Sequence, residues 1–430
     1  MGRILYNLIL HLGLVLFGPF LMIGLFFSGK RRISVLERLG IVLPSAEIPA
    51  DGEGHIWIHV LSVGEFRSAE PLINRMVDKY GGSKLVLTTS TMTGQSLARQ
   101  RYGGRLKAVG YFPYDIPWAV GRVLKRINPE LVVLVESDLW PNFLAAVNRR
   151  NIPTVWANAR ISAKSFKGYR RYKAILKPMF NQFDAIAAQT EMDAERLKCL
   201  GVPGKIIAVT GNIKFDQPVT PIGSNWIVTE RQKMGWADTT RLIVAGSTHA
   251  GEEKQLFAGF RQLQHRQQNL GLIVAPRDPK RAEAVIDMGG DAGFNMACYS
   301  RLPETGALFN GIVVDQMGLL RGLYALADVA FIGGSLIPFG GHNPIEAAVL
   351  GKPMLWGPHM DNFVTMAAAF INAGAAREID GPKAFENMVA YWLNDSTAAA
   401  TAGTAGRKLV LQNRGSVARI MAMVERVYGA

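Results

Sequence analysis

Residues 329–357 read VAFIGGSLIPFGGHNPIEAAVLGKPMLWG, and the order of residue types in this stretch decides the fold. An apolar, β-rich run from Val329 to Ile332 ends in paired glycines, a helix start follows, and a second apolar run reaches Gly357. Strand, turn, helix and strand in that order form the repeating unit of a parallel sheet. Gly333, Gly334, Gly340 and Gly341 let the backbone come close to a ligand, while Asn343, Pro344 and Glu346 stand where an N-cap, a first-turn proline and a capping-box carboxylate belong. Such a helix start offers free N–H groups and a positive dipole end, so the segment reads as a phosphate pocket. The structural alternative is a well-capped helix after a tight turn that binds nothing.

The same alternation extends in both directions. RLIVAGS, LGLIVAPR, GIVVD and DVAFIGG join PMLWG in the second half; HIWIHVL, KLVLTT, ELVVLVE, PTVWAN and DAIAAQ form a matching set in the first. Each is followed by residues at helical spacing, such as Phe66, Ala69, Leu72, Ile73, Met76 and Val77. The expected class is α/β: two Rossmann-like, doubly wound parallel sheets facing each other, with a cleft lined by the carboxyl ends of both sets of strands. Pro218 to Asn225, PVTPIGSN, reads as the linker. The expected divisions are residues 1–29, 30–216 and 217–430, with a last helix at about 415–428 packing back on the first domain.

The 430 residues carry 48 Lys and Arg against 34 Asp and Glu, a formal charge of +14 that favours an anionic partner. The basic residues are scattered between apolar runs, and no zinc-finger or RNA-binding signature is present, so nucleic acid is not the expected partner. The two cysteines, Cys199 and Cys298, belong to no C-x-x-C motif. His55 and His59 lie on an alternating strand that separates them by ~13 Å, too far to chelate one ion, and no metal is expected. Ile4 to Phe27 is an apolar stretch long enough to span hydrocarbon as a helix, followed by Lys30, Arg31 and Arg32. It reads as a membrane anchor, spanning or monotopic, with the rest of the chain on the cytoplasmic side; a buried core helix is the alternative.

Charged residues close several strands. Glu65 stands where the first strand passes into its helix, Glu136 ends ELVVLVE, Arg277 ends LIVAPR, and Lys214 precedes the linker. A carboxylate at Glu65 suits a general base, and Lys214 and Arg277 suit the charge that grows on a departing phosphate. Helix-dipole complementation for Glu65 and solvated strand ends for the others are the alternatives.

HVLSVGEFRSAEPLI, PYDIPWAV, VESDLWPN, NARIS, AQTEMDAERL, GNIKFD, AGSTHAGEE, VAPR and GGSLIPFGGHNPIEAAVLGKP occur in this order. Together they resemble the Kdo (3-deoxy-manno-octulosonic acid) transferases of lipopolysaccharide assembly, over nearly the whole chain. The resemblance implies a GT-B glycosyltransferase fold, with the acceptor bound by the first half and CMP-Kdo by the second. It also implies inverting transfer of Kdo to a lipid A precursor (lipid IVA) at the cytoplasmic face of the inner membrane, in contact with its lipids and without a cofactor. Matched by position, Glu65 is the proton acceptor, and Glu136 and Lys214 support the transition state. Pro276, Arg277, Met317, Gly318, Leu319, Asn343, Pro344, Ile345 and Glu346 fall in the CMP-binding segments. The family pattern usually has glutamate after Met-Gly, whereas this chain has Leu319, which puts a side-chain contact there in doubt. A GT-B enzyme using another nucleotide sugar, such as a UDP-sugar transferase or epimerase, and a non-catalytic membrane scaffold are the rival classes.

Overall fold

The computed structural model describes residues 2–26, 29–42, 54–136, 139–217, 222–267, 269–302 and 309–429. Two compact units emerge, Met1–Pro218 together with Asn413–Ala430, and Val219–Gln412.

The strands of the first unit are β1 (His55–Val60), β2 (Leu85–Thr89), β3 (Ala108–Tyr111), β4 (Pro129–Val135), β5 (Thr154–Ala159), β6 (Ala185–Ala188) and β7 (Ile207–Val209). They form one parallel sheet in the order β3-β2-β1-β4-β5-β6-β7. Every residue of β1 is buried, because helices cover both faces of the sheet and apolar residues are needed on each. The helix Val63–Tyr80 follows β1, capped by the Ser62 hydroxyl, and buries Phe66, Ala69, Leu72, Ile73 and Met76, the stripe its spacing predicts.

The second unit contains β8 (Arg241–Thr248), β9 (Leu270–Pro276), β10 (Met296–Cys298), β11 (Gly311–Val313), β12 (Val329–Ile332), β13 (Met354–Trp356) and β14 (Ala376–Glu378). Their order is β10-β11-β9-β8-β12-β13-β14, again all parallel. In both sheets the chain winds outward one way and then the other, so β1/β4 and β8/β12 flank the switch points where doubly wound sheets bind ligands.

The helix Ser416–Tyr428 lies against the first sheet, with Ile420, Met421 and Val424 buried in the core that holds Ile58 and Val133. Asp216 secures its start by accepting the Gly415 N–H at 2.6 Å and the Val417 N–H at 2.5 Å. Residues 218–221 of the expected linker lie outside the described residues. Ser224 and Asn225, read as linker, instead open the helix Ser224–Lys233, since neither serine nor asparagine blocks a first turn.

The amino-terminal stretch forms the helix Gly2–Phe26. Among the described residues, no helix is long and apolar enough to cross a membrane, so the spanning form of the expected anchor is not supported. Packing provides a physical reason. Asn7 and Asn142 exchange hydrogen bonds of 3.0 and 2.6 Å, holding one face of the helix to the first unit. Other positions leave Ile4, Leu8, Ile9 and Val15 exposed at 63–74%. Arg38, a few residues beyond the basic flank, is drawn into the unit: its guanidinium lies 4.9 Å from the Tyr111 ring centroid and 5.2 Å from that of Tyr114, and it donates to the Ser90 carbonyl.

Candidate active site

At the switch point of the first unit, the first turn of the helix after β1 carries Glu65. The Ser62 hydroxyl accepts the Glu65 N–H at 3.4 Å, and Oε2 of Glu65 accepts the Leu61 N–H at 2.7 Å. The carboxylate therefore sits in the first helical turn, where the dipole favours its charged form, and one of its oxygens bonds the loop that positions it.

Glu136 follows β4 on the other side of the switch point, and here the structure joins two residues that are 78 positions apart in sequence. Lys214 Nζ lies 3.9 Å from Glu136 Oε1. Asn158, at the end of β5, donates to the same oxygen at 3.4 Å and accepts the Ile213 N–H at 3.1 Å. Glu136 and Asn158 both have left-handed backbones, with φ of 67° and 54°, which is uncommon outside glycine and clusters at functional sites. Gln189 donates to the Asn158 carbonyl at 3.0 Å, Asn212 donates to Gln189 at 2.9 Å, and the Asn212 side chain accepts the Lys214 N–H at 3.0 Å. Sequence reasoning missed Asn158, Gln189 and Asn212. Each lies in a segment already singled out, NARIS, AQTEMDAERL or GNIKFD, but an uncharged amide at a strand end carries no pattern of its own.

The glycine-rich turn of the second unit is built differently from the expected phosphate pocket. Glu252, fully buried, accepts the N–H groups of His249 (2.9 Å) and Gly334 (2.7 Å) on Oε2 and those of Ser335 and Leu336 (2.9 Å each) on Oε1. A buried carboxylate is costly unless its lone pairs are satisfied, and four backbone donors satisfy them. The amides of Gly334 to Leu336 are thus engaged by the chain's own anion. Gly333 is needed for close approach, since a Cβ there would stand 2.4 Å from the Ser247 carbonyl oxygen.

Further along the turn, the Asn343 side chain accepts the Ile345 N–H at 3.1 Å, but Pro344, whose carbonyl accepts the Ala348 N–H at 3.0 Å, holds the cap position of the helix that follows, one residue later than expected. That helix, Ile345–Ala348, is a single turn, and its dipole is correspondingly small. Glu346 lies in this turn, close enough to the buried Tyr324 phenol to help raise its pKa, after burial itself. Pro276 ends β9, and the Arg277 N–H donates to the Thr248 carbonyl at 2.9 Å, bringing the exposed Arg277 beside the end of β8. Gly318 has a φ of 89° and Met317 is exposed, while Leu319 begins the helix Leu320–Leu326, which packs against Ile345–Ala348. The predicted residues of this unit therefore gather at the carboxyl end of the second sheet.

His249 and His342, which the sequence reading did not select, meet here with Nε2 atoms 2.8 Å apart and rings within 7° of coplanar. Phe339 packs on His249 at 3.9 Å. Burial, then His249 and Arg277, pushes the His342 imidazole down to about 4, and burial lowers that of His249 as well. Glu253, also buried, forms two hydrogen bonds to Arg281, at 2.7 and 3.2 Å. Among the described residues, no group of three or more His, Cys, Asp or Glu side chains is placed to hold a metal ion.

Two parallel sheets with ligand-type switch points are the architecture of the two-domain sugar-nucleotide enzymes. The chain superposes with a TM-score of 0.58 on a Rickettsia africae glycosyltransferase (13% identity, covering 87% of this chain and 99% of the other). A Neisseria meningitidis UDP-GlcNAc 2-epimerase gives 0.55 (13% identity, 84% and 99%). At sequence level, the family model for 3-deoxy-D-manno-octulosonic-acid transferase (kdotransferase) matches residues 34–217. The 3-deoxy-D-manno-octulosonic acid transferase of Haemophilus influenzae is 32% identical, over 93% of this chain and 92% of its own. The Bordetella pertussis protein of that name is 33% identical over 77% of each. The chain belongs to the 3-deoxy-D-manno-octulosonic acid transferase family.

Proposed function

We propose that this chain is an inverting glycosyltransferase that moves Kdo from CMP-Kdo to a lipid A precursor in lipopolysaccharide core biosynthesis. The observation that carries this reading is the similarity, over 93% of the chain, to an enzyme named for that transfer. The first unit binds the acceptor and the second the donor. Glu65 takes the proton from the acceptor hydroxyl as its oxygen attacks the anomeric carbon of Kdo, and CMP leaves from the opposite face. Positive charge grows on the sugar ring, where a carboxylate such as Glu136 stabilises it, while Lys214 and Arg277 balance the charge of the leaving phosphate. The Glu136–Lys214 pairing supports this division of labour. Pro276, Met317 to Leu319 and Asn343 to Glu346 line the nucleotide; Leu319 contributes through its backbone. No metal or cofactor takes part in the proposed steps.

The enzyme works at the cytoplasmic face of the inner membrane, with the apolar face of Gly2–Phe26 resting in the lipid and Lys30 to Arg32 next to it in sequence. The exposed Ile4, Leu8, Ile9 and Val15 support a monotopic attachment. Incubating the protein with CMP-Kdo and lipid A precursor should give a product heavier by whole Kdo residues on mass spectrometry. A protein that turns over only a UDP-sugar, or binds UDP in preference to CMP, belongs to the rival enzyme class, and one that turns over neither is a scaffold.

A further inference from the structure

The His249–His342 contact is confined to side chains at the mouth of the glycine-rich turn. His342 lies over Gly334, where an added Cβ would stand 3.0 Å from its Cδ2. Nε2 faces Nε2 at 2.8 Å, so one ring must donate and the other accept. In the neutral pair, the ring that donates through Nε2 keeps a lone pair on Nδ1, and the ring that accepts carries its proton on Nδ1. The two outward nitrogens are then one donor and one acceptor. Neither Nδ1 makes a hydrogen bond among the described residues. One added proton makes both outward nitrogens donors while leaving the shared Nε2–H bond in place. Two donors match two oxygens of an anion.

The surroundings lack such an anion. Arg277 acts on both rings, and Arg281 acts on His249. The nearby carboxylates are Glu252 and Glu253; four backbone amides engage the first and Arg281 the second. Thr248, next in sequence to His249, keeps a fully buried hydroxyl without a hydrogen-bond partner among the described residues. We propose that His249 and His342 form one proton-sharing anion site that takes up a single proton when a phosphate monoester binds. This rests on reading the second unit as the nucleotide-binding one, and adds to it the group that meets the phosphate once the loop amides are occupied by Glu252.

The linkage has a definite sign. A site that gains a proton on binding holds its ligand most tightly below the pKa of the free pair, and affinity falls about tenfold per pH unit between that value and the higher pKa of the bound pair. Titration of CMP into the full chain by calorimetry, in two buffers of different ionisation enthalpy, measures the proton directly. His342→Gln keeps a hydrogen-bonding group near the Nε2 position but cannot titrate; His249→Gln is a second route to the same loss. Melting curves at pH 8 check that both fold. The second ionisation of CMP is common to all three proteins and cancels in the difference. The wild-type protein should take up as much as about one proton more per CMP than either variant, and its affinity should fall at high pH where theirs does not. CMP binding with equal proton uptake in all three overturns the paired-imidazole site and leaves the nucleotide reading standing. Failure of the wild-type protein to bind CMP at all overturns both.

Discussion

The two units place functional groups at equivalent points of similar sheets, but from opposite kinds of atoms. In the first, the ends of β4 and β5 present side chains: Glu136 and Asn158 sit in left-handed backbone, and a relay of amides ties them to Lys214. In the second, the end of β12 presents backbone: a glycine turn whose amides are held by the buried Glu252. Side chains deliver charge and proton transfer but must be fixed by neighbours. A backbone turn supplies shape, and Glu252 fixes that shape at the cost of the turn's own anion-binding capacity. In the proposed function the first unit supplies the chemistry, and the second holds a ligand with the groups around the turn.

The sharpest break in this comparison is Glu65→Gln. Turnover should fall by about 10²–10⁴-fold, the range for a lost general base, with CMP affinity unchanged by calorimetry. A variant that loses CMP binding and keeps its turnover would exchange the roles of the two units.

Lys214→Ala and Arg277→Ala come next, each at about 2–4 kcal/mol in the transition state if the charge meets the leaving phosphate. The comparison sharpens if Lys214→Ala lowers kcat alone while Arg277→Ala also weakens CMP binding. Steady-state rates with and without EDTA should agree; rescue by added magnesium after chelation would show that these side chains do not carry the charge by themselves.

Glu252→Gln tests the backbone side. An amide turns part of its acceptor surface into N–H donors facing backbone donors, at a cost of about 2–3 kcal/mol, seen as a lower denaturation midpoint. Glu65→Gln should show no comparable loss. Unchanged stability in Glu252→Gln would mean that the turn holds its shape without its internal anion.

Glu346→Gln is subtler. Glutamine retains a capping-box hydrogen bond, so a purely structural role predicts silence. A carboxylate that holds ribose hydroxyls predicts about a tenfold loss of CMP affinity, ~1.4 kcal/mol, with the melting temperature of the ligand-free protein unchanged. We expect the second result from parallel titrations.

The smallest effect is on acid stability. His342 titrates at about 4 when folded but near 6.5 when unfolded, so the unfolded chain binds the extra proton first. Stability contributed by the neutral ring is present above pH 6.5 and is lost as the pH falls from there toward 4. Melting temperatures over that window should drop less in His342→Gln than in the wild-type protein.

The ten inner strands, five in each sheet, were legible because each is an apolar run long enough to be buried on both faces. The four that escaped, β3, β7, β10 and β14, are the four sheet edges. Each is covered less completely than the inner strands, so its sequence needs no such run. The stripe on Val63–Tyr80 was likewise readable, since it depends on residues a turn apart.

By itself, then, the sequence determined the alternation of strands and helices, the charged residues that close the strands, and, through its ordered motifs, the family. Only the tertiary structure decided what those residues meet: that Glu252 reaches across to engage the amides of Gly334 to Leu336, that His249 finds His342, and that Asn158 joins Glu136 to the segment carrying Lys214. Periodicity and capping are local and leave a trace at spacings of two to four residues. The order of strands in a sheet brings together groups tens of residues apart, and whether a polar side chain there becomes a reactive group, an internal counter-ion or half of a hydrogen-bonded pair depends on the burial and partners that this juxtaposition creates.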